Sequence, residues 1–128
     1  MKIAVIAHDG KKADMVAFVM KRLEFFKKVD IIATGTTGKH IEHAGLDVKC
    51  MKSGPMGGDA QIASMIADGE ISGVVFFIDP LDVHPHQVDV NMLLRICNVY
   101  NIPLATNYMT ASYIISGLEK KLQQDLDN

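Results

Sequence analysis

Short, unbroken apolar runs alternate along this chain with stretches whose apolar residues recur every three or four positions. Ile3 to Ala7 is apolar throughout, the pattern of a strand buried on both faces. Asp9-Gly10 interrupts it, and Met15, Val16, Val19, Leu23 and Phe26 then follow at helical spacing. Asp30 to Ala33 predicts a second strand, and a turn over Thr34 to Gly38 leads into a brief helix through Ile41 and Ala44. Val48 to Met51 predicts a third, weaker strand. After a sharp turn at Ser53 to Gly58, Ile62, Ala63 and Ile66 mark the buried side of another helix. Gly73 to Ile78 is the clearest strand, dense in β-branched and aromatic residues and ended by Asp79-Pro80. Val90, Leu93, Leu94, Cys97 and Tyr100 fit a helix, Pro103 to Thr106 a fifth strand, and a C-terminal helix closes the chain.

Strands and helices alternating at this spacing predict a three-layer α/β/α domain around a central, mainly parallel five-stranded sheet. The absence of a repeat or linker makes residues 1–128 a single domain. In such sheets ligands bind beyond the carboxyl ends of the strands. The loops that should converge there begin at His8, Thr34, Ser53 and Asp79.

Composition narrows the class without changing the picture. Apolar residues make up 48% of the chain and charged residues 22%, a globular balance. The formal charge of −2 offers no general field for nucleic acid. No apolar stretch approaches the ~20 residues that span a bilayer, and the first residues lack a secretory pattern. The cytoplasm is therefore the expected compartment. Cys50 and Cys97 sit among apolar neighbours in no metal-type spacing and are expected to be buried, reduced thiols.

Chemistry concentrates in the turns. Thr34-Gly35-Thr36-Thr37-Gly38 offers close backbone approach, three hydroxyls and the N–H groups of a helix start, a good seat for phosphate. It is not a nucleotide P-loop, because Lys39 follows too soon. An ordinary turn with a threonine cap explains it equally well. Ser53-Gly54-Pro55-Met56-Gly57-Gly58-Asp59 packs three glycines and a proline ahead of a carboxylate at a helix start. A capping role for Asp59 would not need so many glycines. Ser53 and Gly54 add a hydroxyl and an amide for phosphate. Asp79 to Asp89 holds His84 and His86 with three aspartates, but no i, i+4 histidine pair, so no metal is expected. Asp79 reads as a turn former, His84 as a solvated loop residue and Asp89 as a helix cap. His8 ends the first strand, Asp9 reads as a cap, and Lys12 stands one turn later as either a surface lysine or a phosphate contact.

Together these residues resemble the methylglyoxal synthase family. The likeness runs through Ala7-His8-Asp9, Ala33 to Gly38, Ser53 to Asp59, Asp79-Pro80-Leu81, His86 with Asp89, and Ile102 to Asn107, in order over nearly the whole chain. The resemblance implies a lyase that converts dihydroxyacetone phosphate to methylglyoxal and inorganic phosphate without a metal or organic cofactor. It implies Asp59 as the catalytic proton acceptor, with His86 and Asp89 as catalytic partners. It assigns His8, Lys12, Thr34, Gly35, Thr36, Thr37, Ser53 and Gly54 to substrate and phosphate binding. It also implies a homohexamer restrained by phosphate, with no nucleic-acid or membrane partner. Ala60 and Val88 stand where the family often has glutamine and proline. The rival expectation is a regulatory module of the same fold that binds small phosphorylated ligands without catalysis.

Overall fold

The computed structural model describes residues 1–82 and 87–128, with the side chains of 87–89 outside that description. Strands β1 (Lys2–Ala7), β2 (Asp30–Thr34), β3 (Val48–Met51), β4 (Gly73–Phe77) and β5 (Leu104–Ala105) form one sheet in the order β3-β2-β1-β4-β5. Every pairing is parallel. The helices are α1 (Lys12–Lys21), α2 (Leu23–Phe26), α3 (Gly35–His43), α4 (Gly58–Ala67), α5 (Gln87–Val99) and α6 (Tyr108–Asp127).

Alternation along the strands divides the core in two. Ile3, Val5 and Ala7 face a layer built from Met15, Phe18 and Val19 of α1, Phe25 and Phe26 of α2, Ile41 of α3, and Ala111, Ile115 and Leu118 of α6. Ala4, Ile6 and Ile32 face the other layer, with Ile62 and Ile66 of α4 and Val90, Leu93 and Cys97 of α5. Both faces of β1 and β4 are therefore covered, which is why those segments read as continuous apolar runs rather than as alternating ones. Each large side chain buried in these layers contributes about 1.5–3 kcal/mol. None of the described helices is long and apolar enough to cross a membrane.

Two expectations fail for long-range reasons. The periodicity from Met15 to Phe26 reads as one helix, but the chain breaks at Arg22 (φ −115°, ψ 32°). Arg22 Nη2 bonds Ser116 Oγ at 2.8 Å and lies 3.8 Å from Glu119 Oε2, so its partners are on α6. Cys50 is exposed rather than buried, because β3 is an edge strand and its apolar neighbours do not enclose it. Cys97 is buried, as expected.

The strand order reverses direction at β1, between β2 and β4. The register places Ala7 beside Phe77 and Thr34 beside Met51. The residues that follow β1, β2, β3 and β4 thus share one edge of the sheet at the point where parallel α/β folds open a crevice.

Candidate active site

His8 extends β1 by one bond, its N–H donating to Phe77 O at 3.1 Å. Its ring is buried, edge-on to Phe76 with centroids 5.2 Å apart. The main-chain N–H of Asp79, just past β4, donates to His8 Nδ1 at 3.1 Å. Asp79 holds its own turn, its Oδ1 accepting from Leu81 N–H at 3.1 Å. Nothing local in sequence signals the contact between His8 and Asp79: the donor is a peptide group on a different strand.

Asp9 does not cap a helix. It opens a short 3-10 turn, Asp9–Lys11, in which no side chain caps the amides, and its Oδ1 instead pairs with Lys12 Nζ at 2.8 Å. Lys12 starts α1, where a cation gains nothing from the helix dipole. Its Nζ donates to Thr36 Oγ1 at 2.5 Å, which carries the charge across to the start of α3. Of the two roles left open for Lys12, the inward one is therefore the one observed.

The threonine turn is tighter than the sequence implied. Helix α3 begins at Gly35, so Thr36, Thr37 and Gly38 lie in its first turn rather than in a free loop. Thr34 occupies the N-cap position but makes no side-chain capping bond. Gly35 has φ +54°, a left-handed conformation that strongly favours glycine. Thr37 is fully buried, and among the described residues its Oγ1 has no hydrogen-bond partner. A buried hydroxyl is costly in that state, so its persistence here points to a ligand.

The glycine-rich turn has a steric explanation at each end. A Cβ on Gly58 would lie 1.8 Å from Lys52 O, so only glycine lets the two backbone segments cross. A Cβ on Gly54 would lie 2.9 Å from Asp59 Oδ2 and 3.1 Å from Oδ1. The Asp59 carboxylate thus sits directly against the bare Cα of Gly54. Asp59 is only 1% exposed, in the first turn of α4, while Gly57 takes the N-cap position. A capping role is excluded, and a complement to the helix dipole remains.

These elements enclose a cavity of about 260 Å³ lined by His8, Lys12, Thr34, Gly35, Thr37, Ser53 and Gly54, among others. Two helix N-termini, those of α3 and α4, and one lysine supply positive potential around it. Of the sequence-derived site residues, Thr36 joins through Lys12, and Asp59 stands behind Gly54. His84 and His86 lie outside the described residues, as does the side chain of Asp89 on α5. Among the described residues, no group of three histidine, cysteine, aspartate or glutamate side chains is placed to hold a metal ion. Cys50 plays no part in the cavity. Burial, and then its bond to Glu42 Oε1 at 2.8 Å, push its thiol up to about 11, so it stays protonated at neutral pH.

Fold and cavity together define a parallel α/β domain with a small anion-binding crevice at its switch point and a buried carboxylate beside it. The MGS-like domain family model matches residues 14–106. Methylglyoxal synthase from Carboxydothermus hydrogenoformans is 52% identical over 119 residues, 92% of this chain and 98% of that protein. The methylglyoxal synthase of Borreliella burgdorferi is 53% identical over 119 residues, 92% of this chain and 94% of its own. The crystal structure of methylglyoxal synthase from Elizabethkingia anophelis superposes with a TM-score of 0.85 at 48% identity, covering 90% of this chain and 76% of that one. The chain belongs to the methylglyoxal synthase family.

Proposed function

We propose that this chain converts dihydroxyacetone phosphate to methylglyoxal and inorganic phosphate, acting as a carbon–oxygen lyase on a phosphate ester. One observation carries the reading. The buried polar residues among those described are His8, Thr34, Thr37 and Asp59, and all four gather at one cavity on the carboxyl edge of the sheet. Burying polar groups is unfavourable unless they have work with a partner, and the cavity suits a three-carbon phosphate.

In this reading the phosphate oxygens accept from Lys12, Thr36 and Thr37, from Ser53 and Gly54, and from the amides that open α3. Asp59 removes a proton from the hydroxymethyl carbon, where the adjacent carbonyl acidifies the C–H bond. The electron pair moves onto the carbonyl oxygen, and His8 donates a hydrogen bond to the oxyanion. The family resemblance adds His86 as a second donor and proton carrier, with Asp89 supporting it. The enediolate then collapses, and the carbon–oxygen bond to phosphate breaks with both electrons leaving on phosphate. The remaining enol takes a proton on the former phosphate-bearing carbon and becomes methylglyoxal. The phosphate grip favours loss over reprotonation when it holds the breaking bond perpendicular to the enediolate plane.

The test is to incubate chelator-treated protein with dihydroxyacetone phosphate and follow both products. Equal release of methylglyoxal and phosphate is the expected result. No release, with phosphate still bound, would replace this reading by the regulatory module. The same reading extends to a cytoplasmic homohexamer inhibited by inorganic phosphate, tested by light scattering and by titrating phosphate into the assay.

A further inference from the structure

We infer that His8 serves as a permanently neutral Nε2–H donor, its protonation state set by the main chain rather than by an acid–base partner. The inference rests on the reading of the cavity as the place of enolisation and phosphate loss.

The decisive contact is the Asp79 N–H on His8 Nδ1 at 3.1 Å. An N–H donates only to a nitrogen that keeps its lone pair, so Nδ1 carries no proton. In a neutral imidazole the proton then resides on Nε2. An imidazolium would set two N–H groups against each other across that distance. The peptide at Asp79 has little freedom to turn away. The Asp79 side chain holds Leu81 N–H, Pro80 fixes the next residue, and a Cβ on Gly10 would lie 2.7 Å from Asp79 Oδ2. At the other end, the N–H of His8 is tied to Phe77 O at 3.1 Å. The β1–β4 ladder therefore sets both the ring and the amide that reads it. The titratable groups on the elements meeting at this end of β1 are Asp9, Lys12, Asp59 and Asp79. None of them makes the Nδ1 contact, which comes from an uncharged peptide.

Neutrality suits the chemistry. An imidazolium would pass its proton to the oxyanion and leave a neutral enediol, which expels phosphate less readily. A neutral N–H stabilises the oxyanion and leaves the charge in place to drive the leaving group out.

The test starts with ¹⁵N-labelled wild-type protein, with and without inorganic phosphate, reading the ring nitrogens of His8 by correlation to its ring protons. His8→Gln identifies the signals by their loss. The expected result is a lone-pair Nδ1 and a protonated Nε2 that persist as pH falls through about 6.5, where a free histidine charges. A protonated Nδ1 or an imidazolium at neutral pH would overturn the inference. This measurement reads the ring whether or not the protein turns over substrate, so its failure is separate from failure of the proposed activity. Kinetics supply the second arm. His8→Gln keeps an N–H near the Nε2 position, and kcat should fall by no more than about tenfold, whereas His8→Asn, one bond shorter, should fall much further. A general acid–base role predicts a loss of about 10²- to 10⁴-fold in both variants, and equal losses in Gln and Asn would reject the donor role.

Discussion

Two cavities lie at opposite ends of the same sheet, and the larger is the less informative. A groove of about 840 Å³ opens at the amino ends of β1, β2 and β3, walled by Lys2, Lys27 and Lys49 with Asp30, Glu42 and Asp47. Five of these six charged residues are exposed, and the signs are mixed, so they stay hydrated and largely cancel. The cavity at the carboxyl ends is about 260 Å³, yet it gathers the buried polar residues. Volume shows where water has room to stand. Polar groups withdrawn from water show where a fold has been shaped around something else. The four parallel strands whose following loops meet there explain the asymmetry, since helix N-termini point toward that edge and C-termini toward the other.

The comparison can be broken most severely at Asp59. Asp59→Asn should lower turnover by about 10³- to 10⁴-fold while phosphate binding and melting temperature hold. Near-normal activity would remove the carboxylate from the chemistry. Gly54→Ala should cost about 10²-fold in kcat, because a displacement of the base by a fraction of an ångström is enough. Its backbone lies in a 3-10 turn outside the left-handed region, so folding should tolerate alanine. A variant that loses KM and kcat together, or that unfolds, would assign Gly54 to architecture instead.

Thr37→Val sharpens the contrast from the side of stability. Removing a buried hydroxyl that has no described partner should raise unfolding free energy by about 1 kcal/mol, and it should raise KM about tenfold through one lost bond to a charged ligand. A lower melting temperature would mean the hydroxyl serves the fold. The smallest effect is expected in the large groove. Asp47→Asn and Lys27→Gln should leave kcat/KM within about twofold and stability within about 0.5 kcal/mol. A strong kinetic effect there would end the claim that the two cavities differ in kind.

Much of this architecture is legible locally. The apolar runs at Ile3 to Ala7 and Val74 to Ile78 lie where the two central strands are found, because burial on both faces leaves no polar position. The placement of His8 and Asp59 follows from the rule that loops after parallel strands meet. What sequence could not supply is whatever depends on strand order or on distant partners. Cys50 has apolar neighbours, but nothing around it reveals an edge strand. Arg22 breaks a periodic helix and bonds a residue 94 positions away. The amide that sets the His8 tautomer comes from residue 79 and carries no side-chain signature.

The uniform direction of the sheet also decides where the chain tolerates being lengthened. Gly45, in the turn into β3, has φ +102° with nothing within 4 Å of a would-be Cβ. Gly69, ahead of β4, has φ +77° and is equally open. Both turns are at the amino edge, at the far ends of strands whose other ends carry the chemistry. Exposed loop tips of this kind accept inserted segments most readily. A peptide tag, a fluorophore site or a whole sensor domain spliced at either glycine would ride on the enzyme without meeting its substrate.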